Sequence, residues 1–93
     1  MSLSRTSFRE MVREESLLGG KLYYRLLKSW SEELDCELFG VACALNINGI
    51  IEETVIPDIS SSERKASLFF NMVIDNCVFP STLMECAADF VAA

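Results

Sequence analysis

The sequence predicts an α+β fold: a three-stranded antiparallel β-meander followed by two α-helices packed on one face of the sheet. The first observation is an Asn-Gly pair between two apolar segments near the middle of the chain, which is a strong local signal for a β-hairpin. The second is a pair of amphipathic segments with helix-start signals after the hairpin. The third is the length of 93 residues, which suits one domain of two packed layers.

The N-terminal segment, residues 1–20, is expected to be a weakly helical or disordered arm ahead of a single domain spanning residues 21–93. Its apolar residues Phe8, Met11 and Val12 lie near helical spacing among many charges, and two glycines end the segment. This pattern is too weak to predict a stable helix.

Charge is distributed unevenly along the chain. Residues 1–28 hold six cations and three anions, a net +3, whereas residues 29–93 hold two cations and eleven anions, a net -9; the sum is the formal charge of -6. A basic arm of this kind could fold back on its own domain, meet an acidic neighbour or touch an anionic surface. The acidic total argues against a nucleic-acid partner.

Residues 21–30 fit either a helix or a strand. Leu22, Leu26 and Trp30 fit a helical stripe, while the tyrosines and the alternation along the segment suit a strand that is apolar on one face. Periodicity alone does not decide between them.

The hairpin joins the apolar run 38–45 to residues 50–56 through Asn48 and Gly49. A two-residue turn would pair Ile47 with Ile50 and place Glu52 beside Leu45. A bulged three-residue turn would pair Leu45 with Ile51 and keep more apolar residues together, so the bulged turn is slightly preferred.

Two helices should follow the hairpin. After Asp58, which can satisfy turn amides, Ser60 and Glu63 have capping-box spacing, so the first helix is expected to begin at Ser61. Asn76 is the expected left-handed terminator, and Pro80 blocks continuation. A second helix is expected from Ser81 or Thr82 to the C-terminus.

Little in the composition points to catalysis. The chain has no histidine, which removes the usual general base and imidazole metal ligands, and its four cysteines lack the spacing of a zinc site. We therefore expect no enzyme activity, no metal and no cofactor. Without a signal peptide or a membrane-length apolar run, we expect a cytoplasmic protein with free thiols and no membrane partner.

The more informative feature is a strip of small residues, Gly40, Ala42 and Ala44, which alternates with bulky Val41 and Cys43. If the helices cover the bulky side, the strip faces outward without charge and suits close approach of another sheet or helix. Alternatively, the N-terminal arm covers the strip within the monomer. The sequence leaves both possibilities open.

Six short motifs lie along residues 21–93: Tyr23-Tyr24-Arg25-Leu26, Phe39-Gly40-Val41, Asn48-Gly49, Asp58-Ile59-Ser60, Pro80 and Ala88-Asp89-Phe90-Val91. Together they resemble a family of short bacterial proteins, of clostridial type, that is known only as a domain of unknown function. The resemblance implies a strand at residues 21–29. It implies no activity, and the chain differs from the family pattern in Phe39, in an apolar Cys86-Ala87-Ala88 segment and in a longer arm.

These observations predict a non-catalytic protein-interaction or self-associating module, because 51% of this small chain is hydrophobic and no catalytic set is assembled. The partner is expected to be another protein or a second copy. The alternative is a carrier or sensor of an unidentified small molecule, held in a cavity between sheet and helices. That cavity would be lined by Tyr23, Tyr24, Trp30, Phe69 and Phe70.

Overall fold

The computed structural model describes residues 5–15 and 19–92, with side chains described at residues 10–12 and 19–92. Its elements in chain order are β1 (Arg5–Glu15), β2 (Gly20–Ser31), β3 (Cys36–Ile47), β4 (Ile50–Ser60), α1 (Glu63–Asp75) and α2 (Pro80–Ala92). The α+β class with an antiparallel sheet followed by two helices is therefore confirmed.

The sheet has four strands in the order β1-β2-β3-β4, so the prediction of three strands was wrong. The additional strand is the N-terminal segment, which was expected to be weakly helical or disordered. It pairs antiparallel with β2, with Glu10 opposite Arg25 and Val12 opposite Tyr23. Pairing with an adjacent strand outweighs the weak helical spacing, because cross-strand contacts stabilise a strand more than local propensity does.

Residues 21–30 lie within β2 and are a strand, as the resemblance implied. The side chains of Leu22, Tyr24 and Leu26 are almost fully buried, while the residues between them are partly exposed. This period of two places one side of β2 against the helices.

The β3–β4 hairpin closes through the two-residue turn Asn48–Gly49, with Ile47 paired with Ile50. Both turn residues have positive φ angles, 54° and 83°, as a type I′ turn requires. The preferred bulged three-residue turn was therefore wrong. Turn geometry sets the register here, and the resulting position of Glu52 opposite Leu45 is tolerated because Glu52 is exposed at the sheet edge.

A β-bulge lies at the other end of the hairpin, away from the turn. Phe39 pairs with Ser60 and Val41 with Ile56, so three residues of β4 oppose the single residue Gly40. The bulged segment includes Pro57, which cannot donate a hydrogen bond to the β3–β4 ladder.

The first helix begins two residues later than expected, at Glu63, with Ser62 as its N-cap. The Ser62 hydroxyl accepts a hydrogen bond from the Lys65 amide at 3.3 Å, whereas Ser60 Oγ accepts one from the Ser62 amide at 3.0 Å. The predicted capping box of Ser60 and Glu63 is therefore wrong. Ser60 still belongs to β4, where it pairs with Phe39.

The helix ends also differ from prediction. The left-handed residue after α1 is Cys77, with φ of 50°, while Asn76 has φ of -96°. The second helix begins at Pro80, slightly before the predicted start; proline suits a first helical turn because its φ is already helical.

Both helices pack on the same face of the sheet, as predicted. The core between the two layers contains large side chains from β2, β3, α1 and α2, among them Tyr24, Val41, Phe69, Phe70 and Leu83. We call this the covered face. No helix or strand in the described part of the chain covers the opposite face of the sheet.

Candidate functional site on the open face of the sheet

The open face is the side of the sheet that points away from the helices. Strand registers and alternation place the following side chains on it: Glu10, Val12, Lys21, Tyr23, Arg25, Leu27, Ala42, Ala44, Asn46, Ile51, Glu53 and Val55. A sheet that is solvated on one face usually alternates buried apolar with polar residues. Here Leu27 and Ala42 are buried, and five of the ten accessible side chains are apolar.

Several of these apolar side chains are exposed to solvent. Val12 is 52% exposed and Ile51 is 65% exposed, and they lie on the two edge strands. Tyr23 and Ala44, on the two central strands, are half-buried, as is Val55 on β4. The open face therefore presents apolar surface across the full width of the sheet, the kind of surface that marks an interaction site.

An ion pair crosses the middle of this face. The Arg25 guanidinium on β2 donates a hydrogen bond to the Glu53 carboxylate on β4. In register, Arg25 lies opposite Ala42 and Glu53 lies opposite Ala44, with β3 between the two charged residues. The pair must therefore pass over the alanines of β3, and larger side chains there would obstruct it.

The predicted strip of small residues is thus only partly accessible. Gly40 is buried, and a Cβ at that position would lie 2.1 Å from the Ile56 carbonyl oxygen and 2.6 Å from Pro57. Ala42 is 1% exposed, while Ala44 is half-buried. The absence of a side chain at Gly40 has an internal cause, the close approach of β4, and only Ala44 contributes accessible surface.

β1, which is part of the N-terminal segment, does not lie over the strip. β1 extends the sheet beside β2, and β2 separates it from β3. Met11 and Val12 are exposed, and the Phe8 side chain lies outside the described residues. The described residues of the arm therefore pair with β2 and do not cover the strip.

A concavity of about 430 Å³ lies on this face. Its walls include Val12, Tyr23, Arg25, Ile51 and Glu53, so that one aromatic ring and two aliphatic side chains surround the ion pair. Its volume falls in the range of small-ligand pockets, roughly 300–1,000 Å³.

The predicted aromatic cavity between the sheet and the helices is not assembled. Tyr24, Phe69 and Phe70 pack in the core, and the Tyr24 hydroxyl donates to the Val78 carbonyl oxygen at 3.0 Å. Tyr23 lies on the open face, and Trp30 is largely exposed near the end of β2. Their side chains fill the protein interior or point away from it, so they do not surround a common space.

The cysteines are free thiols in different surroundings. Burial, followed by the negative charges of Glu52 and Glu53, raises the pKa of Cys43 to about 12. Its thiol donates to the Val78 carbonyl oxygen at 3.3 Å. Such a thiol is protonated at neutral pH and has a structural role. Among the described residues, no group of three or more cysteine, aspartate or glutamate side chains is placed to hold a metal ion.

The predicted turn and cap residues lie away from the open-face concavity. Asn48 and Gly49 form the hairpin turn, and the Gly49 amide donates to Asn46 Oδ1 at 3.1 Å. Asp58 is exposed in the bulged part of β4, and Glu63 is the first residue of α1.

The Arg25–Glu53 pair is the feature that sequence reasoning missed. The two residues are 28 positions apart, and the bulged register placed Glu53 on the wrong face. A two-residue turn would have placed Glu53 opposite Ala44, next to the β2 residues on the same face. The type I′ preference of Asn-Gly was the signal that could have found it.

In the part of the chain that the structure describes, no helix has the length and apolar character needed to cross a membrane. No curated protein and no solved structure matches the chain. A family model matches residues 4–93, which include the N-terminal strand as well as the motifs of residues 21–93. By this match, the chain belongs to a family of unknown function (DUF6514).

Proposed function

We propose that this chain is a non-catalytic protein-interaction module that associates with a second copy of itself through the open face. The observation that carries the proposal is the one-sided layering of the fold. Two helices cover one face of a four-stranded sheet, and the other face exposes apolar residues such as Val12 and Ile51. A second layer would remove that surface from water, at about 25 cal/mol per Å² of apolar area.

The dimensions of the open face support a stable interface. Strands of 11 to 12 residues extend over about 36–40 Å, and four strands span about 19 Å. The product is about 700 Å², close to the roughly 800 Å² that each partner buries in a standard interface. Two such sheets can pack face to face at a separation of about 10 Å.

The charge of the open face favours a second copy. The whole chain carries a net charge of -6, so two copies repel each other at most orientations. Among the described residues of the open face, however, Lys21 and Arg25 balance Glu10 and Glu53. A neutral surface with both signs is compatible with its own two-fold copy, because each cation can approach an anion of the partner.

Light scattering on a sizing column tests the proposal. The wild-type chain should have a molar mass near twice 10.4 kDa, and Ile51→Lys should shift it toward the monomer, because a lysine would be buried unpaired between the sheets. Leu68→Lys is the matched control, since Leu68 is 55% exposed but lies on α1. A monomeric wild-type chain at high concentration would reject self-association, as would an equal effect of the two variants.

A carrier or sensor of a small molecule remains a second candidate, supported by the volume of the open-face concavity rather than by a cavity between the layers. Tyr23 and Arg25 would then contact the ligand. A thermal-shift screen of the wild-type chain and Tyr23→Ala against a metabolite collection tests this. A ligand that stabilises only the wild-type chain would favour the carrier, and no hit would count against it.

The other parts of the proposal rest on composition. The chain has no histidine, and its most buried thiol, that of Cys43, is protonated at neutral pH, which supports a role without catalysis. Four free cysteines are consistent with the reducing cytoplasm. The bacterial origin implied by the resemblance stays a prediction.

A further inference from the structure

The outer edge of β4 is a second surface, independent of the proposed self-association. β4 is the last strand in the sheet order, and no strand among residues 5–15 and 19–92 lies beyond it. Residues Ile50 to Glu53 are all exposed. An exposed edge strand presents unpaired backbone N–H and C=O groups that can accept another strand.

The hairpin register identifies which backbone groups face outward. Residues that flank a two-residue type I′ turn bond to each other, so Ile50 bonds to Ile47, and every second residue of β4 then bonds to β3. The amides and carbonyls of Ile51, Glu53 and Val55 therefore point away from the sheet. Pro57 and the bulge end this edge at one side, and the Asn48–Gly49 turn ends it at the other.

A groove beside this edge adds side-chain specificity. It has a volume of about 330 Å³, lies on the same side of the sheet as the helices, and is lined by Leu45, Ile47, Asn48, Ile50 and Glu52. Ile50 is 77% exposed and Glu52 is exposed next to it on the same side of the strand. No described residue forms a salt bridge with Glu52, whereas Glu53 is paired with Arg25.

We infer that the β4 edge from Ile51 to Val55 binds an extended segment of another protein. That segment carries an apolar residue and a lysine or arginine two positions apart. Residues two apart lie on one side of a strand, so the apolar side chain would contact Ile50 in the groove while the cation meets Glu52. Residues 50–56 contain no cation, and because Glu53 is paired with Arg25, it is the negative charge of Glu52 that selects a basic residue in the bound segment.

The two glutamates disfavour a second copy of β4 as the occupant in the registers that pair them with each other. Antiparallel pairing of two β4 strands would bring Glu52 and Glu53 against the same residues of the other copy in every register centred on them, and like charges across strands are destabilising. Acidic residues on an edge also discourage aggregation. A purely protective role predicts no binding of a basic strand, so the two roles can be separated.

The test uses two acetylated and amidated peptides, Thr-Val-Thr-Lys-Thr and Thr-Val-Thr-Glu-Thr, titrated into the isotopically labelled wild-type chain. The lysine peptide should shift the backbone amides of Ile51, Glu53 and Val55 most. The glutamate peptide should bind at least about fivefold more weakly, as expected when an ion pair is lost.

Glu52→Lys should weaken binding of the lysine peptide by a similar factor, while Glu85→Lys, at an exposed position of α2, should leave it unchanged. Equal binding of the two peptides, or no shifts at millimolar peptide, would overturn the inference. The molar mass of the wild-type chain is measured separately. A failure of self-association therefore leaves the peptide result interpretable, and the reverse also holds.

Discussion

The two faces of one sheet differ in what their side chains do. On the covered face, Tyr24 and Cys43 are opposite each other in register, and both donate to the same Val78 carbonyl oxygen between the helices. On the open face, the neighbouring Tyr23 lies opposite Ala44 and borders an open concavity. Adjacent residues of one strand thus differ: the covered face holds the fold together, and the open face is the surface that we propose to self-associate.

Truncation of a covered-face residue gives the sharpest contrast. Leu26→Ala should lower the free energy of unfolding by about 3 kcal/mol, because it removes a fully buried side chain and leaves a cavity. Ile51→Ala on the open face should change it by less than about 0.5 kcal/mol at concentrations where the chain is monomeric. Urea unfolding followed by circular dichroism measures both. Equal losses would mean that the open face also stabilises the monomer.

The next largest loss of stability is expected at Gly40, which lies opposite the bulge of β4. Gly40→Ala places a methyl group 2.1 Å from the Ile56 carbonyl oxygen, so β4 must move, and we expect a loss of about 1–3 kcal/mol. Ala44→Ser, on the same side of β3, should be close to neutral. The same urea titration compares the two variants. A neutral Gly40→Ala would show that β4 does not approach β3 this closely.

Substitutions of the adjacent tyrosines should change stability less, and they form a matched pair because each removes one hydroxyl group. Tyr24→Phe removes one of the two side-chain donors described for the Val78 carbonyl oxygen, and we expect this to lower the free energy of unfolding by about 1–2 kcal/mol. Tyr23→Phe removes a hydroxyl from the half-buried open face and should cost almost nothing. Thermal unfolding of the two variants checks this. A larger effect at Tyr23 would contradict the assignment of faces.

The smallest effect concerns the start of α1, which closes the covered face. Ser62→Ala should cost about 1 kcal/mol by removing the N-cap acceptor of the Lys65 amide. Ser61→Ala should have little effect, because Ser61 is exposed. Denaturant midpoints distinguish the two serines. A larger loss of stability for Ser61→Ala than for Ser62→Ala would contradict the assignment of Ser62 as the N-cap.

Sequence patterns predicted the covered face better than the open face. Alternation along β3 and the amphipathic stripe of α1 identify residues such as Val41, Cys43 and Phe69 because burial acts on each strand or helix separately. The strand at residues 5–15 was missed, since its pairing with β2 is a long-range choice that its mixed charges do not reveal. The turn register was missed because the bulged turn matches more apolar residues across the strands, whereas the positive φ angles that Asn48 and Gly49 favour fix the two-residue turn.

The candidate site depends on that same register. Glu53 reaches Arg25 only when Ile47 pairs with Ile50, and Gly40 is buried only because β4 bulges over it. Neither contact can be deduced from a local sequence motif, because each depends on how β4 pairs with β3. The sequence could therefore predict that an open face exists and that it contains small residues, but not which of those residues solvent or a partner can contact.

The most direct measurement of the role of the open face is the molar mass of Ala44→Arg, determined by light scattering beside the wild-type chain at the same concentration. Ala44 is half-buried at the centre of the open face, so an arginine there should point outward and separate two facing sheets without disturbing the helices. We expect a folded variant with a mass of 10.4 kDa, although its arginine obstructs the Arg25–Glu53 pair, against twice that mass for the wild type. Equal masses for the two chains would contradict the assignment of the open face to self-association.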